Sequence, residues 1–191
     1  MRTYVSIAAA LLLALPAAAQ QPLPAAAQQT LPRPPAANPI SDSLRSQWNN
    51  IKRNISESAN QMSEENYTFK PTPEVRSFGA ILAHVAGASY VFCAAAKGEK
   101  TPFAEDYFEK NATTRDAIVK ATSDAIAYCD GAFMALTDAS AGQIGPNAFG
   151  SDQVPHVNNL VGQIAHDSEH YGNLVTYFRL KGLVPPSSKR Q

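Results

Sequence analysis

No sign of charge is in surplus: sixteen Lys and Arg stand against sixteen Asp and Glu, and no block of like charge occurs. A nucleic-acid backbone or an anionic membrane surface is met by a basic patch, so neither is an expected partner. The partner class that remains is a small molecule, with a homodimer left open. Strand-like alternation of any length is missing, and so is any internal repeat, which leaves an all-α chain. Cysteine is nearly missing too, with only Cys93 and Cys129. Charged residues make up only 17% of the chain, but alanine swells the apolar share, and composition alone says no more than globular. At 191 residues one domain is expected, with appendages.

The first appendage reads as a targeting segment. Arg2 supplies a positive start, Val5 to Leu15 a short apolar run, and Ala17-Ala18-Ala19 a small-residue cleavage site, so residues 1–19 are expected to be removed after Ala19. The apolar run is short for a membrane-spanning helix, and no Cys follows it to carry a lipid anchor. The expected location is periplasmic or secreted, with no stable membrane span after cleavage. Residues 20–39 are Gln, Pro and Ala with almost nothing to bury, and read as a disordered or polyproline-like linker.

From residue 40 the pattern becomes helical. Ile40, Leu44, Trp48, Ile51, Ile55, Ala59 and Met62 recur at spacings of three and four, which predicts helix 1, capped by Ser41 or Asp42. Thr72-Pro73-Glu74 has the chemistry of a helix start and predicts the opening of helix 2 there. From Ser77 to Ala96 there is no charged residue, and small residues abound, as in a helix packed on several sides. Residues 98–111 read as a connection. Helix 3 is predicted from about Thr113 to Leu136, with Ile118, Ala121, Ala125, Cys129, Phe133 and Leu136 inward. Residues 138–156, rich in Gly, Pro, Ser and Asn, read as a loop. Helix 4 is predicted from His156 or Val157 to Leu180, stopped by Gly182 and Pro185-Pro186. Four such helices make a bundle over residues 40–187.

Helix 4 carries the chemistry. His166 and His170 stand one helical turn apart on one face, a spacing that lets two imidazoles hold one divalent ion. A His-x-x-x-His pair also arises by chance with odds of about one in fifteen at this composition. On a helical wheel Asn159, Gln163, His166, His170, Asn173 and Tyr177 share a narrow arc, opposite Leu160, Ile164, Tyr171, Leu174, Val175 and Phe178. That polar arc has no charged residue, which suits a cavity lining better than a solvated face, and makes Asn159, Gln163, Asn173 and Tyr177 candidates to support the ligands. Asp167 and Glu169 lie off its centre. His84 is the single strongly ionisable group in the uncharged helix 2; it reads either as a hydrogen-bonded core residue or as a third ligand. His156, at the helix 4 start, reads as a cap or surface group.

The stretch Phe69-Lys-Pro-Thr-Pro-Glu-Val-Arg-Ser-Phe-Gly-Ala-Ile-Leu-Ala-His84 resembles the start of helix 2 in DinB-like proteins (the DinB/YfiT family). His166-Asp-Ser-Glu-His170-Tyr-Gly-Asn-Leu-Val-Thr-Tyr-Phe-Arg-Leu-Lys-Gly is similar to their helix 4. The resemblance covers residues 40 to about 187. It implies a four-helix bundle in up-down-down-up order and a divalent metal, zinc or nickel, on His84, His166 and His170. It also implies kinship with thiol-dependent transferases and isomerases. Three imidazoles leave coordination positions open, as in catalytic sites. The expected function is therefore a metal-dependent hydrolase or thiol-type transferase on a small substrate. The alternative is a non-catalytic metal- or ligand-binding bundle. With helices 2 and 3 both running down, Cys93 and Cys129 fall at similar depths. A Cys93–Cys129 disulfide is then expected, persisting in an oxidising compartment.

N-terminal sequencing of the exported protein is expected to begin at Gln20; an intact Met1 in the mature chain contradicts the leader.

Overall fold

A computed structural model describes residues 37–190; the expected leader, 1–19, and most of the expected linker, 20–39, lie outside the described residues. Among the described residues there are four long helices: α1 (Pro39–Gln61), α2 (Phe78–Lys97), α4 (Arg115–Ala135) and α6 (His156–Leu180). Between them lie two short helices, α3 (Tyr107–Asn111) and α5 (Asp138–Ala141), and one antiparallel hairpin, β1 (Ile144–Pro146) with β2 (Gln153–Pro155). So the expected 98–111 connection contains a helical turn, and the expected 138–156 loop contains both α5 and the hairpin.

The stripe on α1 is the buried stripe: Leu44, Trp48, Ile51, Ile55, Ala59 and Met62 are all in the core, while Ile40 at its start is exposed. The expected cap by Ser41 or Asp42 is not what the structure shows. Asn38 is the cap residue, and the open backbone N–H groups of Ile40 and Ser41 donate to the Asp138 carboxylate at 3.1 and 2.8 Å. A carboxylate at a helix N-terminus also meets the positive end of the helix dipole. Trp48 stacks on Phe133 with 4.7 Å between ring centroids and donates its indole N–H to Asp130 at 2.7 Å, which fixes α1 against α4.

Helix α2 begins six residues later than Thr72. Ser77 is its cap, accepting the Ala80 N–H at 3.2 Å, and residues 71–76 form an exposed turn. The reason is tertiary. The N–H groups of Phe78 and Gly79 donate to the carbonyls of Phe69 and Tyr67 at 3.0 and 2.8 Å, so the preceding strand of chain closes the helix end. Gly79 has to be small there: a Cβ would stand 2.9 Å from the Tyr67 ring. Helix α2 is long and apolar enough to cross a membrane, yet it is mostly buried, with Phe78, Leu82, Ala86, Ala88 and Cys93 all at 0% exposure. It is the most buried of the long helices. It ends at Gly98, whose φ of +69° a side chain would strain.

Residue pairs fix the directions. Along α1 and α4, Trp48 meets Phe133 and the Arg115 side chain reaches the Asn60 and Met62 carbonyls, so they are antiparallel. Helices α2 and α6 are also antiparallel, with Phe78 on Phe178 and Gln163 on Ser89. Helices α2 and α4 run parallel: Gly79 lies against Ile118, Cys93 is bonded to Cys129, and Gly131 lies against Lys97. The order is up-down-down-up. A parallel pair needs a crossover as long as the helices, about 30 Å for 20 residues, and the chain from Gly98 to Thr114 supplies it.

The disulfide has Cα atoms 5.3 Å apart and closes a loop of 36 residues. Cys93 is the sixteenth residue of α2 and Cys129 the fifteenth of α4, which is why two parallel helices bring the sulfurs level. On the chain-entropy model such a loop contributes about 3–4 kcal/mol. The Cys93→Ala, Cys129→Ala double variant is expected to lose about that much in chemical denaturation, and the unreduced, denatured wild type to titrate no free thiol.

Candidate metal centre

Helix α2 is buried on so many sides that its one imidazole, His84 at 7% exposure, must find partners. It finds them on α6. His166 and His170 lie one turn apart on α6, and the antiparallel packing lays both against His84. Ring centroids are 5.1 Å apart for His84 and His166, 4.9 Å for His84 and His170, and 4.4 Å for His166 and His170. One nitrogen from each ring lies within 4.8 Å of the other two. The three expected ligands therefore converge.

Carboxylates set how the rings present themselves. His84 Nδ1 is 3.1 Å from Glu109 Oε1 on α3, and His166 Nδ1 is 3.3 Å from Asp167 Oδ1. An ionised carboxylate only accepts, so in each pair Nδ1–H donates and Nε2 is left with its lone pair. The two Nε2 atoms face each other at 3.2 Å. Two lone pairs at that distance repel unless a proton or a cation lies between them. A cation about 2.0–2.1 Å from each, at a tetrahedral angle, spans about 3.3 Å between them. The third ring has an orphan: His170 Nδ1 is buried with no hydrogen-bond partner. Three imidazoles, two of them pre-oriented, fit a divalent ion and leave it open positions.

The field agrees. Burial lowers the His84 pKa, helped by Arg76 and His166 and opposed by Glu109 and Glu105. Burial, with His166, His84 and Arg76, pushes His170 down to about 4. Both rings are thus neutral near pH 7, the form that ligates. Asp167, 1% exposed, is pushed up by burial, against the bonds it makes to His166 and Gln163.

The four expected supporting residues part company. Gln163 is fully buried and acts at one remove, its amide donating to Asp167 Oδ2 and to Ser89 Oγ, both at 2.8 Å. Asn159 is not at the site: its amide grips the hairpin, accepting from Ala148 N–H and donating to the Pro146 carbonyl. It sits two turns from His166, beyond the reach of its short side chain. Asn173 is exposed, in the wall of a cleft. Tyr177 spends its hydroxyl on the Arg76 carbonyl at 2.5 Å, holding the turn before α2. The residues that do touch the imidazoles are Asp167 and Glu109. Asp167 lies off the wheel arc, yet its carboxylate meets the ring of its chain neighbour His166, and Glu109 comes from a connection whose path no periodicity reveals. His156, as expected of a helix start, is remote; its N–H donates to the Gln143 carbonyl and its ring lies under Gly145.

His170 and Ile81 form part of the wall of a cleft of about 730 Å³ between the 71–76 turn and the C-terminal half of α6. Arg76, Glu74, Glu169, Asn173 and Thr176 give it polar groups; Pro71, Val75 and Tyr177 give it apolar ones. On another side Phe92 stands 5.7 Å from His166, ring to ring, and carries Phe149 from the hairpin at 4.8 Å.

The family model of the DinB superfamily matches residues 47–174. The chain belongs to the DinB superfamily. Among solved structures, a DinB-like protein from Bacillus cereus is similar at 17% identity and a TM-score of 0.61, covering 76% of this chain and 95% of the other. The DinB-like protein YjoA from Bacillus subtilis is similar at 22% and 0.57, covering 78% and 99%. A mycothiol-dependent maleylpyruvate isomerase is similar at 16% and 0.58, covering 70% of this chain but only 60% of its own. At these identities the likeness is one of fold. No curated protein matches the chain.

In the metal-free protein, an NMR titration is expected to place His170 near pH 4. The unfolded chain takes the same proton near pH 6.5. Between those values the unfolded state binds more protons, so this group makes stability fall as pH falls from about 6.5 to 4. His84, also lowered, adds in the same sense, while Asp167, raised, acts oppositely. Denaturation across that range should show a shallower pH slope in His170→Ala than in wild type; an unchanged slope contradicts the shift.

Proposed function

We propose that the protein is exported to the periplasm, holds one divalent ion, zinc or nickel, on His84, His166 and His170, and acts on a small molecule as a hydrolase or thiol-type transferase. The observation that carries this reading is the convergence of three imidazoles, with no fourth His, Cys, Asp or Glu in the cluster among the described residues, beside a cleft of about 730 Å³. When bound, such an ion supplies Lewis acidity, lowering the pKa of a bound water or thiol toward neutrality.

The chain's own residues do the rest. Asp167, held by Gln163, keeps His166 in the tautomer that offers Nε2. The cleft places a substrate against His170, with the Arg76 guanidinium and the Asn173 amide as polar contacts and Ile81 and Val75 as apolar ones. Burial of the site on the α2 side limits water to the cleft. The mycothiol-dependent isomerase among the similar structures supports thiol chemistry. Both cysteines here are locked in a disulfide, so a reacting thiol comes from a co-substrate. The leader-like N-terminus supports export.

Protein purified without a histidine tag is expected to carry about one divalent ion per chain by elemental analysis, and a His84→Ala, His170→Ala double variant to carry none. Full retention of metal by that variant overturns the site. Turnover on a panel of esters, amides and thiol-transfer substrates, lost in His170→Ala and on chelation, is the expected activity; a metal-loaded wild type inert across the panel overturns the enzymatic reading.

A further inference from the structure

The crossover between α2 and α4 does more than span the bundle. At Gly87, three residues after His84, a Cβ would stand 1.8 Å from the Glu105 carbonyl oxygen and 2.8 Å from its carbon. Only a glycine lets the crossover backbone lie directly on α2. From that seat the chain turns into α3, and α3 delivers Glu109. Its Oε1 accepts from His84 Nδ1 at 3.1 Å, whereas the nearer-seated Glu105, its side chain 44% exposed, reaches only 3.7 Å. Glu109 is in turn held by Arg76, whose Nε and Nη2 lie 3.0 and 3.3 Å from its two oxygens. Arg76 is itself tied to α6, through the bond from Tyr177 to its carbonyl. The back of this imidazole is thus linked in series to α3, to the 71–76 turn and to α6.

We propose that Glu109, held by Arg76, is the positioning residue for His84. It fixes the Nδ1–H tautomer and aims Nε2 at the site, as buried Asp167 does for His166. The short helix α3 is therefore part of the metal centre. His170, with no such partner, is the one unanchored ligand, on the cleft side. The effect on metal affinity rests on the metal reading above, but the tautomer does not.

Two readouts test this, with circular dichroism to check that each variant folds. In metal-free, 15N-labelled protein, long-range ring-proton correlations report the His84 tautomer. Chelator competition with zinc alone reports affinity. Wild type is expected to show Nδ1–H. Glu109→Ala is expected to move His84 toward Nε2–H and weaken zinc binding about 10- to 100-fold. Glu109→Gln, whose side-chain oxygen still accepts, is expected to restore the tautomer and most of the affinity, and Glu105→Gln to behave as wild type. An Nε2–H tautomer in wild type overturns the proposal. So does a Glu109→Ala variant unchanged in tautomer, or a Glu105→Gln variant that reproduces its loss. A wild type that takes up no zinc or nickel defeats the metal reading alone, and the tautomer comparison still decides the role of Glu109.

Discussion

Burying an imidazole in the middle of an uncharged helix is the constraint around which this protein is arranged. His84 sits among residues that are almost all out of water, and a buried polar ring without partners is costly. Its polar partners lie outside α2, which has no charged side chain between Ser77 and Ala96. They have to be brought by the rest of the fold. Helix α6 brings two more imidazoles to its front and α3 brings a carboxylate to its back.

The topology follows from serving that helix on several sides. Two long neighbours, α4 and α6, pack along it, one parallel and one antiparallel. The antiparallel neighbour places side chains at matched heights, so that Phe78 meets Phe178 at one end and Ser89 meets Gln163 further along, with the histidines between. The parallel neighbour demands the long crossover, and the crossover passes over Gly87. The disulfide ties the parallel pair nine residues beyond His84, fixing the register between the helix that carries His84 and its partner.

Electrostatically the site is built to keep imidazoles neutral. Desolvation is the largest cause of the downward shifts at His84 and His170, and Arg76 adds to both. Glu109 and Glu105 oppose the shift at His84, but for Glu109 and Asp167 geometry matters more than charge. Each takes an Nδ1–H and leaves an Nε2 lone pair facing inward. Asp167 is buried and bound by Gln163, while Glu109 is part exposed and paired with Arg76, so the two anchors differ in how firmly they are insulated from solvent.

The sequence by itself determined the four long helices, their apolar faces, and the three histidines. These depend on periodicity and on residue chemistry within one helix, and both are local. The stripe of α1 and the inward face of α4 lie where the spacing puts them, and α6 starts and stops at its expected signals. Tertiary structure decided the rest. The start of α2 moved from Thr72 to Phe78 because the Tyr67–Phe69 segment supplies the carbonyls that close its end. Asn159 and Asn173 share the wheel arc with the histidines, yet one grips a hairpin and the other faces a cleft, since a wheel gives direction but not depth. Glu109 became a partner of His84 through a crossover whose path is set by contact with Gly87, and contacts between residues far apart in the chain leave no period to read.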